Sequence, residues 1–176
     1  MPSERYEYYL NQSRELHATR KTFSGRGVLK HAPRLIELSR RVGATSGLDY
    51  GAGKLGQYSK IHDKGIRLEK QLGYVVTKYD PAVPGIDTKP TGTFDLVFCT
   101  DCLEHIPEED MAWVVRELDA YALKGLFITV GTYPAKKTLP NGENAHVCIK
   151  PAAWWRELFA ANVRTRDGFA FELLVE

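Results

Sequence analysis

The chain has 176 residues, of which 43% are hydrophobic, 11% aromatic and 26% charged. That length fits one domain, 1–176, and that composition supports a substantial core, which excludes disorder as the main state and leaves no room for a separate substrate domain. With 24 basic against 22 acidic residues the net charge is +2, so nothing global calls for a polyanionic partner such as bulk DNA.

Charge is less even locally. Residues 1–42 carry nine Lys/Arg against four Asp/Glu, whereas Asp95–Asp119 carries eight acids against Arg116 alone. The three cysteines, Cys99, Cys102 and Cys148, are too sparse, and odd in number, for a secreted disulfide framework. The opening MPSERYEYYL has no apolar signal core, and no run nears the ~20 apolar residues of a membrane helix. A soluble, cytoplasmic chain without membrane contact is expected.

In chain order, residues 3–19 read as a helix, with Tyr6, Tyr9, Leu10 and Leu16 near three- and four-residue spacing. The glycine-bearing loop Phe23–Gly27 follows, then a helix over 29–42 with Leu35, Leu38 and Val42 on one face, stopped at Gly43. Gly47–Tyr50 is a short strand that runs into Gly51-Ala52-Gly53, after which Leu55, Tyr58 and Ile61 take up helical spacing. Tyr74–Tyr79 is β-branched and aromatic and ends at Asp80-Pro81, as strands do. Phe94–Cys99 is a nearly unbroken apolar run, the mark of a parallel strand buried on both faces. Met111, Val114, Val115 and Leu118 give a striped helix, Leu126–Val130 another buried strand, and Ala152–Ala161 a helix with Trp155, Leu158 and Phe159 inward. The tail, Val163–Val175, is expected to fold back as one or two edge strands around Asp167-Gly168. The alternation predicts an α/β domain with a mostly parallel sheet and helices on both faces.

In such a sheet ligands bind beyond the carboxyl ends of the strands, where a glycine turn admits a ligand to the backbone and the next helix offers unpaired N–H groups. Asp49-Tyr50-Gly51-Ala52-Gly53 has that placement, and a tight turn packed for geometry alone is the alternative. Asp80 ends the next strand, where a carboxylate can accept both hydroxyls of a ribose. Its alternative is a plain Asp-Pro turn.

LDYGAGKLGQY resembles the first motif of class I S-adenosylmethionine-dependent methyltransferases, YDPAV their acidic second-strand motif, and FDLVFCTDCLEHIPEED their fourth-strand motif. The three stand in the family's order across residues 45–130. The resemblance implies a Rossmann-like, doubly wound sheet and a cofactor-binding core over 45–130. It places S-adenosylmethionine beside Asp49, Tyr50, Gly51 and Gly53, with Asp80 on the ribose and Cys99 and Thr100 at the end of the fourth-strand motif. Only thirteen residues, Pro81–Thr93, precede the next strand, so the third-strand region is abbreviated. Pro81, Val83 and Ile86 then become the expected adenine wall, with Asp87 a hydrogen-bonding partner.

Methyl transfer from a sulfonium is a direct displacement, which needs alignment and removal of one proton. After Cys99 the chain reads Asp101-Cys102-Leu103-Glu104-His105, and a helical turn there would put Asp101, Glu104 and His105 on one face. His146, in the loop after the fifth-strand region, opens on the same sheet edge. The set Asp101, Glu104, His105 and His146 suits a divalent ion such as Mn²⁺, Fe²⁺, Co²⁺, Zn²⁺ or Mg²⁺, able to activate a hydroxyl. It resembles the Glu-x-x-Glu-His motif with a distant His of small-RNA 3′-terminal 2′-O-methyltransferases and the related motif of ubiquinone-pathway O-methyltransferases, with Asp101 in place of the first Glu. A histidine that packs beside the cofactor without metal, and a zinc site built from the three cysteines, are the other readings. Without a metal, His105 or His146 is the candidate base.

Lys136 and Lys137 are candidate contacts for an anionic substrate or else a solvated pair, and the outer of Trp154 and Trp155 either covers the cleft near His146 or packs at an edge. Residues 1–25, with Tyr6, Tyr9 and His17, are expected as a lid or as packing, and 131–150 as a substrate loop. Of the acids after Phe94, Asp95 belongs to the strand, while Glu108, Glu109, Asp110, Glu117 and Asp119 read as a solvated helix face. The expected activity is O-methylation of a small molecule, with the divalent ion as its assistant. RNA 3′-terminal 2′-O-methylation, without an evident RNA surface, and a non-catalytic cofactor-binding or regulatory subunit are the alternatives. DNA amino-methylation is disfavoured, since Thr-Asp-Cys-Leu-Glu-His lacks a Pro-Pro-aromatic element. Substrate identity and oligomeric state are not encoded in any motif of the chain.

Overall fold

The structure, a computed structural model, describes residues 2–18, 27–59 and 67–176. Its elements are α1 (Glu4–Ala18), α2 (Gly27–Arg41), β1 (Gly47–Tyr50), α3 (Gly56–Ser59), α4 (Leu68–Leu72), β2 (Val76–Tyr79), β3 (Phe94–Thr100), α5 (Met111–Tyr121), β4 (Ala122–Val130), α6 (Ala152–Asn162) and β5 (Ala170–Val175). Two 3₁₀ turns, Leu103–His105 and Glu108–Asp110, join β3 to α5.

Among the described residues five strands form one sheet in the order β2-β1-β3-β4-β5, and every neighbouring pair is parallel. Side chains of a strand alternate between faces, and the core divides accordingly. Leu48, Tyr50, Val97, Cys99, Leu126 and Ile128 pack with Tyr6, α5 and α6 on one face. Leu96, Phe98, Phe127 and Val76 pack with α2 and Leu68 on the other. The Rossmann-like α/β arrangement with helices on both faces is thus present. The long apolar runs follow directly: all seven residues of β3 are buried, because a central parallel strand has no wet face.

After β1 the chain leaves toward β2, and after β3 toward β4, so the strand order reverses between β1 and β3. No strand lies between β2 and β3; residues 80–93 cross back as a proline-rich loop, as their length requires. The helix after the glycine turn, α3, starts at Gly56 because Leu55, at φ +60, stands outside it; Ile61 lies outside the described residues, as does the Phe23–Arg26 part of the expected lid.

The tail expectation narrows, and the acid-face expectation changes. The tail is one strand, parallel to β4: Gly168, at φ +72, turns the chain after α6, and a crossover through a helix returns it in the parallel sense. The supposed solvated acid face is also partly interior. Asp110 is buried and accepts hydrogen bonds from Ser3 N (2.9 Å), Ser3 Oγ (2.6 Å) and Trp113 Nε1 (2.6 Å), and Tyr6 meets Trp113 edge-on at 5.3 Å. This anchors α1 on α5. Asp119 is buried against Arg164 (2.5 Å) and Arg166, and Glu117 accepts from Tyr50 Oη at 2.7 Å and from Lys89. Helical periodicity alone cannot distinguish a solvated acid from one that receives a distant partner. No helix among the described residues is long and apolar enough to cross a membrane.

Asp119 separates the two kinds of ion pair. Asp119→Ala strands the partly buried Arg166 and is expected to cost about 3 kcal/mol in denaturant unfolding. Arg164, largely exposed, is expected to cost under about 1 kcal/mol as Arg164→Ala.

Candidate functional site

A cavity of about 470 Å³ opens at the carboxyl edge of the sheet, over the reversal between β1 and β3. That volume lies within the ~300–1,000 Å³ of small-molecule sites. Its walls come from the chain just past β1, β2, β3 and β4, and α1 lies across it with Tyr6, Tyr9 and His17. The anchored helix therefore both packs and lines the cavity. Arg14 Nε on Pro81 O at 3.3 Å, and Tyr9 Oη on Glu143 at 2.8 Å, tie it to the two loops it spans.

Gly51 and Gly53 line the floor. Gly51 has φ +82, and a Cβ there would lie 2.4 Å from Cys102 Sγ. Only glycine lets the β1 turn pass so close to the chain leaving β3. Gly53 N donates to Asp80 Oδ2 at 2.8 Å, and Ala82 N to Oδ1 at 2.9 Å. A carboxylate has about four acceptor sites, so Asp80 is locked by backbone while each oxygen retains capacity toward the cavity it lines. Asp49 does not line the cavity. It is buried beneath, accepting from Gln57 Nε2 and Tyr58 Oη, both at 2.8 Å, and burial pushes its carboxyl up to about 6. Its work is to pin α3 under the glycine turn.

Tyr50, Pro81 and Thr100 line the cavity; Cys99 is buried in β3 behind it. Ala82 joins Pro81 in the wall, whereas Val83, Ile86 and Asp87 do not. Ile86 instead closes its own loop, its carbonyl accepting from Asp80 N at 3.0 Å, and Asp87 caps Gly85 N.

The acid and histidine set divides. Asp101 has φ +50, a conformation aspartate tolerates better than most residues. Thr129 holds it there: Asp101 N donates to Thr129 O (3.2 Å) and Oγ1 (3.1 Å), and the Thr129 hydroxyl donates to Oδ1 at 2.7 Å. The 3₁₀ turn begins two residues later, so Asp101 does not share a helical face with Glu104 and His105. Glu104 is buried, with Oε1 accepting from Gly131 N at 3.0 Å and Oε2 without a hydrogen-bond partner. Burial pushes its carboxyl up to about 8. His146 Nε2 lies 3.9 Å from Glu104 Oε1, and His146 Nδ1–H donates to Tyr133 O at 2.6 Å. His105 Nδ1–H donates to Ala145 O at 2.7 Å, its ring edge-on to His146 at 4.9 Å, and burial lowers it to about 4.

Glu104, His105 and His146 thus gather at one wall, yet their donor atoms do not converge as a ligand cage. Among the described residues the one such group of three within 4.8 Å is His31, Asp101 and Glu176. Among the described residues no cysteine joins such a group, and Asp101, Glu104, His105 and His146 do not meet as a single site. Lys136 and Lys137 line the cavity. Trp154 does not; it packs edge-on against Trp155, with Lys150 Nζ 5.5 Å from its ring.

Sequence reasoning missed Gly131 and Tyr133. A Cβ on Gly131 would come 3.1 Å from Glu104 Oε1 and 3.3 Å from His146 Cε1; a glycine directly after the buried run of β4 was the available signal. Tyr133 acts through its carbonyl, which no side-chain pattern records. No protein-family model matches the chain, and neither the curated proteins nor the solved structures yield a match.

Glu104 makes stability depend on pH. Its folded value, about 8, lies above its ordinary 4.5, so its contribution is full below 4.5 and is lost as pH rises through 8. Glu104→Gln removes that loss. The variant is expected to gain on the wild type by a few kcal/mol between pH 5 and 8.5, at about 1.4 kcal/mol per pH unit at most, as read by urea unfolding.

Proposed function

We propose that the protein is an S-adenosylmethionine-dependent methyltransferase acting on an oxygen of a small molecule. What supports this most is the Gly53 N to Asp80 bond: it couples the glycine turn of β1 to an acid at the end of β2, at the point where strand order reverses. A nucleoside-bearing ligand needs both elements there, a backbone turn it can approach and a fixed carboxylate for its diol. S-adenosylmethionine brings a methyl group on a positively charged sulfur, and no step here passes through a metal.

The residues beside this floor supply proton handling. The Tyr133 carbonyl fixes His146 with its proton on Nδ1, which leaves the Nε2 lone pair facing Glu104. A separation of 3.9 Å is one that a single hydroxyl oxygen spans at ~2.8 Å from each partner. An acceptor oxygen taking the methyl would break the methyl–sulfur bond and leave a neutral thioether; the acceptor's proton would pass to His146 Nε2, with Glu104 facing the imidazolium that forms. Glu104, mostly protonated near pH 7, also has an unpartnered oxygen to orient the acceptor. Lys136 and Lys137 give the same wall a positive edge, which favours an anionic acceptor.

Calorimetry on the full chain is expected to show one S-adenosylmethionine site, with Asp80→Asn weakening it at least tenfold, about 1.4 kcal/mol; unchanged affinity in that variant would sink the cofactor assignment. In a screen of hydroxylated metabolites with labelled methyl donor, His146→Ala is expected to lower kcat by about 10²–10⁴ while retaining cofactor affinity. Equal turnover by the variant would remove His146 from proton transfer.

A further inference from the structure

Beside the cavity, on the α2 side of the sheet, three side chains from distant parts of the chain meet. His31 comes from the second turn of α2, Asp101 from just past β3 and Glu176 from just past β5; one donor atom of each lies within 4.8 Å of the others. The His31 side chain is 6% exposed, and its Nε2 has no hydrogen-bond partner. That nitrogen points at the acids, 3.7 Å from Glu176 Oε2. A buried polar atom without a partner is unfavourable, and a cation between His31 and the acids would answer it.

The two acids are held in place separately. Asp101 is clasped by Thr129 in its left-handed conformation. Glu176 continues the ladder beyond β5: its N donates to Val130 O at 3.0 Å, and its carbonyl accepts Thr132 N at 2.8 Å and Thr132 Oγ1 at 2.7 Å. Gly27, at the start of α2, keeps the approach open, since a Cβ there would come 2.8 Å from Asp101 Oδ2. Lys30 Nζ already sits on Glu176 Oε2. It is a mostly exposed, flexible cation, and it marks where positive charge is favoured.

We infer that His31, Asp101 and Glu176 form a divalent metal site, distinct from the wall that holds Glu104 and His146. One imidazole and two carboxylates suit an ion of intermediate hardness, Mn²⁺, Fe²⁺, Co²⁺ or Zn²⁺, over a thiophilic one. Three protein ligands leave further positions for water or a bound oxygen. Asp101 alone of the three also lines the cavity, so the ion stands at its margin. Binding displaces Lys30 from Glu176, and the lysine therefore competes with the ion.

The site is tested with Co²⁺ on the full chain, by visible absorption and calorimetry without any methyl donor, so its outcome is independent of the proposed function. One Co²⁺ per chain is expected. Glu176→Gln, which keeps the backbone ladder, and His31→Gln are each expected to weaken binding at least tenfold, with folding checked by circular dichroism. Lys30→Met is expected to tighten it severalfold, and His146→Ala to bind as the wild type does. Absence of Co²⁺ uptake, wild-type affinity in Glu176→Gln, or loss of the ion on His146→Ala would each overturn the assignment. Should His31→Gln not fold, the opposed effects at Glu176 and Lys30 decide it.

Discussion

One threonine governs how the polar groups at the sheet edge are shared out. Thr129, buried in β4, grips Asp101 by its amide and its carboxylate together, and so holds the residue after β3 at φ +50. A left-handed residue other than glycine costs about 1 kcal/mol or more, which these hydrogen bonds offset. The consequence is geometric. With Asp101 turned out of line, the following 3₁₀ turn carries Glu104 and His105 toward the loop after β4, while Asp101 stays facing α2 and the end of β5. A regular helix from Asp101 would have stacked all three on one face. The clasp therefore produces two polar groupings, Glu104 with His146 and Asp101 with His31 and Glu176, where one was expected.

Those groupings lie at the carboxyl edge of the sheet, where the chain leaves the strands and lines the cavity. Helices cover both faces of the sheet, and β1 and β3 are buried along their lengths. Buried acids elsewhere are answered: Asp95 by Thr45 and Lys124, Asp110 by Ser3 and Trp113, Asp119 by two arginines. Glu104 differs, keeping one oxygen without a partner in a site where burial raises its proton affinity. A buried group left without a partner calls for an explanation, and a role in a site is one. His31 Nε2 is a second instance, on the opposite side of the sheet.

Much of this was legible in the residues. The apolar runs at Phe94–Cys99 and Leu126–Val130 identify central strands, since only burial on both faces tolerates them. Gly51 and Gly53 after a short strand, and Asp80 after the next, mark the cavity floor, and the brevity of Pro81–Thr93 rules out a strand there. Less legible were the acids. Asp110 and Asp119 sit on a helix as surface residues do, and their partners, Ser3, Arg164 and Arg166, come from opposite ends of the chain. Ile86 lay near the right place in sequence, yet its carbonyl rather than its side chain serves the site.

The sequence by itself determined the layers and the place of the cavity, because strand burial, glycine turns and helical stripes are local consequences of residue type and spacing. Tertiary structure alone decided which donors meet. Pairing Glu104 with His146 depends on the path of the loop after β4, and bringing Glu176 to His31 depends on β5 adding to β4 in the parallel sense. Both are long-range contacts set by strand register and by a single strained residue, and neither leaves a period or a motif in the chain.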